Sequence, residues 1–245
     1  MLLWSGPGFS GPDPALPVEA YCKDQRCNWQ GFRVFITFEG IEGAGKSLQI
    51  ERTRRHLEAK GVPCRVTREP GGTEFGTSLR AVLLAPGVGR LEPVCELLLY
   101  LADRYQHLKE VIEPALGLGQ VVLSDRYQDA TRAYQGGARG IGAPAVEELT
   151  RLVGIREPDK TLLLDLDPEM GLARARRRND ACPAAGAEGR YEAEDLPFHR
   201  RVRQAYLDLA RRWPERIHVV SAAGTPDEVF SRIAPLVDSW ILPGR

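Results

Sequence analysis

The run Gly40-Ile41-Glu42-Gly43-Ala44-Gly45-Lys46-Ser47 constrains this chain more than any other feature. It satisfies G-x-x-x-x-G-K-[ST], a pattern that works only between a strand and a helix. Both flanks comply. Val34–Phe38 is a short β-rich run, and Ser47–Lys60 reads as a helix stopped by Gly61 and Pro63. The glycines let successive backbone N–H groups point inward at phosphate oxygens. The following helix adds its positive N-terminal end. Lys46 reaches the β and γ phosphates as a point charge, and Ser47 offers its hydroxyl to Mg²⁺. The alternative is a glycine-rich turn that matches by accident, and it would have to reproduce strand, helix and Lys-Ser together. The Asn-Lys-x-Asp tetrad that reads guanine is absent from the sequence, which favours ATP as the ligand.

Beyond this loop the pattern is strand, loop, helix, repeatedly. Arg65–Thr67, Val121–Ser124, Thr161–Leu166 and Arg216–Val220 read as further strands. Thr77–Ala85, Glu96–Leu116, Ala145–Val153, Pro168–Arg178, Leu196–Trp213 and Pro226–Trp240 read as helices, and Asp180–Gly189 as a loop. Short apolar strands between amphipathic helices predict an α/β fold of three layers: a parallel sheet of about five strands with helices on both faces. No composition break divides residues 32–245, so one domain is expected there, with a mobile lid around residues 174–192. Residues 1–31 carry Gly6, Pro7, Gly8, Gly11, Pro12, Pro14 and Pro17 with little periodicity. They read as an unstructured extension or a start codon placed too early.

Composition removes other classes. Lys and Arg total 33 against 33 Asp and Glu, so no charge excess argues for nucleic acid or an anionic membrane. No run of about 18 apolar residues suggests a membrane span. Cys22, Cys27, Cys64, Cys95 and Cys182 form no C-x-x-C pair, so neither zinc nor a disulfide framework is expected, and a reducing cytoplasm fits best. Lysine occurs only at Lys23, Lys46, Lys60, Lys109 and Lys160, a bias toward arginine that codon usage explains.

Three further constellations lie at predicted strand ends or on a neighbouring helix, the edge where open α/β sheets bind ligands. Thr67-Arg68-Glu69-Pro70-Gly71-Gly72-Thr73 follows the second strand. Tyr100 and Arg104 are four apart on the long helix, hence on one face. Ser124-Asp125-Arg126-Tyr127 is followed by Tyr134-Gln135-Gly136-Gly137. Each has a plainer reading: Tyr100 as core, Arg104 as a solvated helix residue, Asp125–Arg126 as a structural ion pair. Asp165 and Asp167 read as turn and cap residues.

Phe38–Ser47, Arg-Glu-Pro-Gly-Gly-Thr, Asp-Arg-Tyr and Tyr-Gln-Gly-Gly, in this order and spacing, resemble bacterial thymidylate kinase, a P-loop NTPase fold. The similarity covers roughly residues 33–240 and continues through Leu164-Asp165-Leu166-Asp167-Pro168. It implies transfer of the γ-phosphoryl group of ATP to dTMP, giving dTDP for dTTP biosynthesis, with Mg²⁺. Carried over, it implies an ATP site at Gly40, Ile41, Glu42, Gly43, Ala44, Gly45, Lys46 and Ser47. Glu42 would hold the 3′-hydroxyl of dTMP, Arg68 and Arg126 its phosphate, and Tyr100 would stack on thymine. Arg104 and Gln135 would hydrogen-bond the base, and Asp125 would sit near the metal with Ser47 or orient Arg126. The family commonly forms homodimers, which the resemblance implies here too.

Phosphoryl transfer needs two phosphates aligned and their charge neutralised, and Lys46 with Arg126 are the obvious pair. A further arginine usually closes over the transferring group, from the phosphate loop or from the lid. Ile41, Glu42, Gly43 and Ala44 include none, so the lid must supply it: Arg174, Arg177, Arg178 or Arg190, with Arg190 favoured. Related lids read Asp-Arg-x-Glu where this chain reads Gly189-Arg190-Tyr191-Glu192, with extra residues around Ala181–Glu188. Two alternatives stay open: another nucleoside monophosphate or deoxynucleoside kinase of the same fold, and a nucleotide-binding regulator without transfer activity. The thymine methyl supplies only about 1–3 kcal/mol against dUMP, so the sequence does not rank those two acceptors.

Overall fold

A computed structural model describes residues 31–84, 91–181 and 189–242. The expectation for the N-terminal extension and most of the extra lid residues therefore fall outside the described residues. Five strands form one parallel sheet: β1 (Phe35–Glu39), β2 (Cys64–Arg68), β3 (Val121–Asp125), β4 (Lys160–Asp165) and β5 (Ile217–Ser221). Their order is β2-β3-β1-β4-β5. β1 lies at the centre, with Phe38 opposite Asp125 of β3 and Leu162 of β4. This is the predicted α/β sheet.

Side chains alternate between the two faces. Ile36, Phe38, Val121 and Leu123 enter one apolar cluster, while Phe35 and Val122 enter the other. A strand buried on both sides is mostly apolar, and the two polar residues of β1 are paired where they are buried, Thr37 with Thr161 and Glu39 with Tyr206. The edge strand β2 is half exposed and correspondingly polar.

The helices are α1 (Lys46–Ala59), α2 (Glu74–Leu84), α3 (Pro93–His107), α4 (Glu113–Gly117), α5 (Gln128–Thr131), α6 (Ala143–Val153), α7 (Pro168–Ala181), α8 (Leu196–Arg212) and α9 (Pro226–Ile241). Helices α2 and α3 begin about a turn earlier than expected and α7 runs on to Ala181, past the expected loop start at Asp180. Two stretches differ in kind, for physical reasons. The expected single helix Glu96–Leu116 is interrupted by a π turn over Leu108–Ile112, where the Glu113 N–H bonds to the Leu108 carbonyl. Pro114 follows and has no N–H to continue the α register. A second π segment, Arg132–Ala138, continues α5 where no element was expected. Gly137 admits a close neighbour: a Cβ there would lie 2.7 Å from Ala205 Cβ on α8. No helix among the described residues is long and apolar enough to cross a membrane.

Candidate active site

A cleft of about 280 Å³ opens at the C-terminal ends of β1, β2 and β3. One end of its wall carries Lys46, Ser47 and Asp125; the other carries Tyr100, Arg104 and Gln135. The residues expected to bind donor and acceptor thus share one depression.

The phosphate loop is held by close backbone approach. Gly43 has φ +72°, and a Cβ on it would lie 2.0 Å from the Gly171 carbonyl oxygen. A Cβ on Gly171 would in turn meet the Glu42 carbonyl at 2.5 Å. Gly171, in the first turn of α7, therefore shapes the loop from behind. A glycine inside an otherwise helical pattern was its only sequence signal. Lys46 is buried, and its Nζ donates to the carbonyls of Gly40 (3.0 Å) and Ile41 (2.9 Å). Burial, with Arg126 nearby, lowers its pKa to about 8. The Ser47 hydroxyl donates to Asp125 Oδ2 at 2.6 Å.

Arg126 sits where the two halves meet. Its φ of 69° is a left-handed conformation that a non-glycine residue seldom adopts. Nη1 donates to the Gly40 carbonyl (3.0 Å) and Nη2 to Glu42 Oε1 (2.8 Å), and the guanidinium lies 5.0 Å over the Tyr134 ring. Glu42 Oε1 also accepts from the Tyr134 hydroxyl at 2.7 Å. Burial alone would raise the Glu42 pKa. Arg126, His199 and Lys46 outweigh it and hold the carboxyl well below the usual range. Glu42 thus pairs with Arg126 through Oε1, while its Oε2 has no hydrogen-bond donor among the described residues. His199 Nδ1 stands 3.3 Å from that oxygen but is not aligned for a hydrogen bond. Neither His199 nor Tyr206, which donates to Glu39 at 2.7 Å, was foreseen. Both lie on α8, far from every motif in sequence.

The acceptor end rests on buried carboxylates. Arg104 is no solvated helix residue. Its Nε donates to Glu69 Oε2 (2.8 Å), Nη1 to Gln128 (2.7 Å) and Thr131 (2.9 Å), and Nη2 to the Tyr127 carbonyl (3.0 Å). Four of its five N–H groups are used, leaving one for a ligand. His107 Nδ1 braces Glu69 from the other side at 2.8 Å. Tyr100 is nearly buried, and its hydroxyl donates to Tyr191 at 3.1 Å, so a lid residue satisfies it. The Gln135 amide nitrogen donates to Glu96 (2.6 Å) and Tyr191 (3.1 Å). Arg68, at the end of β2, is exposed and lines the cleft.

The expectation for Arg190 is redirected. Its Nη1 donates to the Leu83 carbonyl (3.0 Å) and its Nη2 to Glu96 Oε2 (2.5 Å), so the guanidinium is held against α2 and α3 and is not part of the cleft wall. Arg178, on the last turns of α7, does line it and pairs with Glu192. Arg174 donates to the Ala222 carbonyl at 3.1 Å, away from the cleft. Side-chain packing, and not the register of residues 189–192 with related lids, shows which arginine is already engaged. Asp165 accepts both ends of Arg203 (2.7 and 2.8 Å), and Asp167 accepts from the Glu169 N–H at 2.9 Å, as a turn-and-cap reading requires.

Comparison with known proteins agrees with this geometry. The family model for thymidylate kinase matches residues 38–233. A thymidylate kinase of Syntrophotalea carbinolica is 54% identical over 200 residues, covering 81% of this chain and 92% of that protein. One of Desulfosudis oleivorans is 51% identical over 201 residues, covering 82% and 94%. The crystal structure of thymidylate kinase from Ehrlichia chaffeensis superposes with a TM-score of 0.68 at 31% identity, covering 83% of this chain and 98% of that one. The chain belongs to the thymidylate kinase family.

Proposed function

We propose that this chain transfers the γ-phosphoryl group of ATP to dTMP, with donor and acceptor phosphates meeting between Lys46 and Arg126. The single observation that carries this reading is Arg126, held by the Gly40 carbonyl of the donor loop and by Glu42, so that one guanidinium faces both phosphates. The Gly40–Ser47 loop cradles the ATP phosphates, and Lys46 swings from its two carbonyls onto them. Arg68 and Arg126 hold the acceptor phosphate. Glu42 Oε2, which has no donor, takes the 3′-hydroxyl of the deoxyribose. Tyr100 stacks on the base, and Arg104 and Gln135 hydrogen-bond it.

Ser47 and Asp125, which lie in hydrogen-bond contact at the cleft, would hold Mg²⁺ as a pair of hard oxygen ligands. When bound, it neutralises charge developing between the β and γ phosphates. The acceptor phosphate is already an anion at neutral pH, so no strong general base is needed. Arg178 supplies the closing charge from α7, and Arg190 anchors the lid to Glu96.

The homodimer belongs to the same proposal. Phe75 on α2 and Val94 and Leu98 on α3 are each at least half exposed, an apolar face of the kind subunit contact covers. Light scattering during size exclusion tests it. The main test is coupled ADP release with ATP, Mg²⁺ and a panel of monophosphates. Preference for dTMP is the expected result; equal rates across the panel would overturn the assignment.

A further inference from the structure

Glu96 is fully buried on α3 and belongs to none of the recognised motifs, yet four side chains converge on it. Arg190 Nη2 (2.5 Å), Gln135 Nε2 (2.6 Å) and the Tyr191 hydroxyl (2.9 Å) all donate to its oxygens, and Arg139 Nε lies 3.6 Å away. An ionised carboxylate can only accept. That fact sets the direction of every bond around it. The atom of Gln135 beside Glu96 must be its nitrogen, whichever way the amide is drawn. Tyr191 must give its proton to Glu96, so it can only accept from Tyr100 and from the second Gln135 N–H.

The nitrogen end of the Gln135 amide is turned toward Glu96 and Tyr191, and no hydrogen bond to its carbonyl is found among the described residues. The side chain lies in the cleft wall, so the carbonyl is what Gln135 offers there. We infer that Glu96 is a positioning residue for acceptor-base specificity: it locks Gln135 as an acceptor toward the cleft and ties that polarity to the lid through Arg190 and Tyr191. Such a site fits a pyrimidine whose N3 carries a proton, as in thymine and uracil. Cytosine presents a bare N3 lone pair, which would face the carbonyl oxygen without a proton between them. Leaving buried polar groups opposed in this way is disfavoured by a factor on the order of 10–100. The polarity is available when Arg190 and Tyr191 are in place, so a docked lid and a correctly read base favour each other.

This inference rests on the proposed dTMP site, and the experiment separates the two. Full-length wild type, Glu96→Gln and Glu96→Asp are compared for kcat/KM with dTMP and dCMP. A glutamine at 96 can offer its own N–H to Gln135 and let the amide turn over. The dTMP-to-dCMP ratio is expected to fall at least tenfold in Glu96→Gln and to be largely restored in Glu96→Asp. An unchanged ratio, even with lower overall rates, overturns the role of Glu96 and leaves the dTMP assignment standing. A wild type that does not prefer dTMP over dCMP overturns the assignment itself. Should Glu96→Gln fail to fold, the wild-type chain saturated with dTMP answers by NMR. Both Gln135 side-chain amide protons are expected downfield and protected from exchange. An amide exchanging at the solvent rate overturns the inference.

Discussion

The two ends of the cleft are built on opposite plans. The donor end is backbone: glycines with positive φ, a helix N-terminus and a lysine occupied by two carbonyls of its own loop. Its charged groups must be released before they can work. The acceptor end is side chain: Glu69 with Arg104 and His107, and Glu96 with Gln135, Tyr191 and Arg190, already bonded before any ligand arrives. A phosphate is a generic anion that a nest of N–H groups can hold, so the donor end needs little sequence and tolerates rearrangement. A base edge must be read by fixed donors and acceptors, so the acceptor end carries buried networks that leave only a few polar atoms open.

This contrast breaks most visibly at the lid. Arg178→Ala is expected to lower kcat by about 10³ or more, the range for a closing arginine, with KM for dTMP little changed. Arg190→Ala should act mainly on KM for dTMP, through Glu96. Steady-state kinetics of both variants that show the reverse pattern would return the closing charge to Arg190.

Stability should separate the two ends next. Glu69→Gln strips the charge from a fully buried pair and is expected to destabilise by about 3–5 kcal/mol, read from a denaturant midpoint. Lys46→Met removes an ammonium that burial already disfavours. It should abolish most turnover, by about 10²–10³, without lowering that midpoint. A midpoint lowered equally by both substitutions would erase the distinction.

The pH dependence of the donor end follows from Lys46. Its folded pKa of about 8 lies below the usual 10.5, so between these values the unfolded chain binds the extra proton and stability rises with pH. Activity moves the other way. Neutral Lys46 cannot hold phosphate, so kcat/KM for ATP should fall about tenfold per pH unit above about 8. The kcat profile should break at higher pH, because bound polyphosphate favours the charged lysine. A kcat/KM profile flat to pH 9.5 would contradict this.

The smallest effect is expected at Tyr100→Phe, which keeps the ring and frees Tyr191 of one partner. The change in dTMP binding should stay within about 1 kcal/mol, measured by titration calorimetry. A much larger loss would mean that the hydroxyl chain, rather than stacking, holds the base.

Much of the fold was legible because its signals are local. The β-rich run of β1, the Gly-Lys-Ser turn into α1 and the Pro start of α7 each declare themselves within a few residues. The π segment at Arg132–Ala138 did not, because α8, which packs against Gly137, is distant in sequence. Lys46, Ser47, Asp125, Arg126, Tyr100, Arg104 and Gln135 all reach the cleft as their motifs suggested. Their partners were invisible. His199 and Tyr206 come from α8, Gly171 from α7, and Glu96 from the helix turn before Tyr100.

The sequence by itself determined the donor loop, the sheet that carries it and the family, because each is written in contiguous residues whose spacing has a direct chemical meaning. Tertiary structure alone decided what braces Arg104 and which partners engage Arg190 and Gln135. Those depend on buried charges meeting across as many as 94 positions of chain, as Arg190 meets Glu96. Burial, where an unpaired charge is most strongly disfavoured, is what makes such meetings decisive.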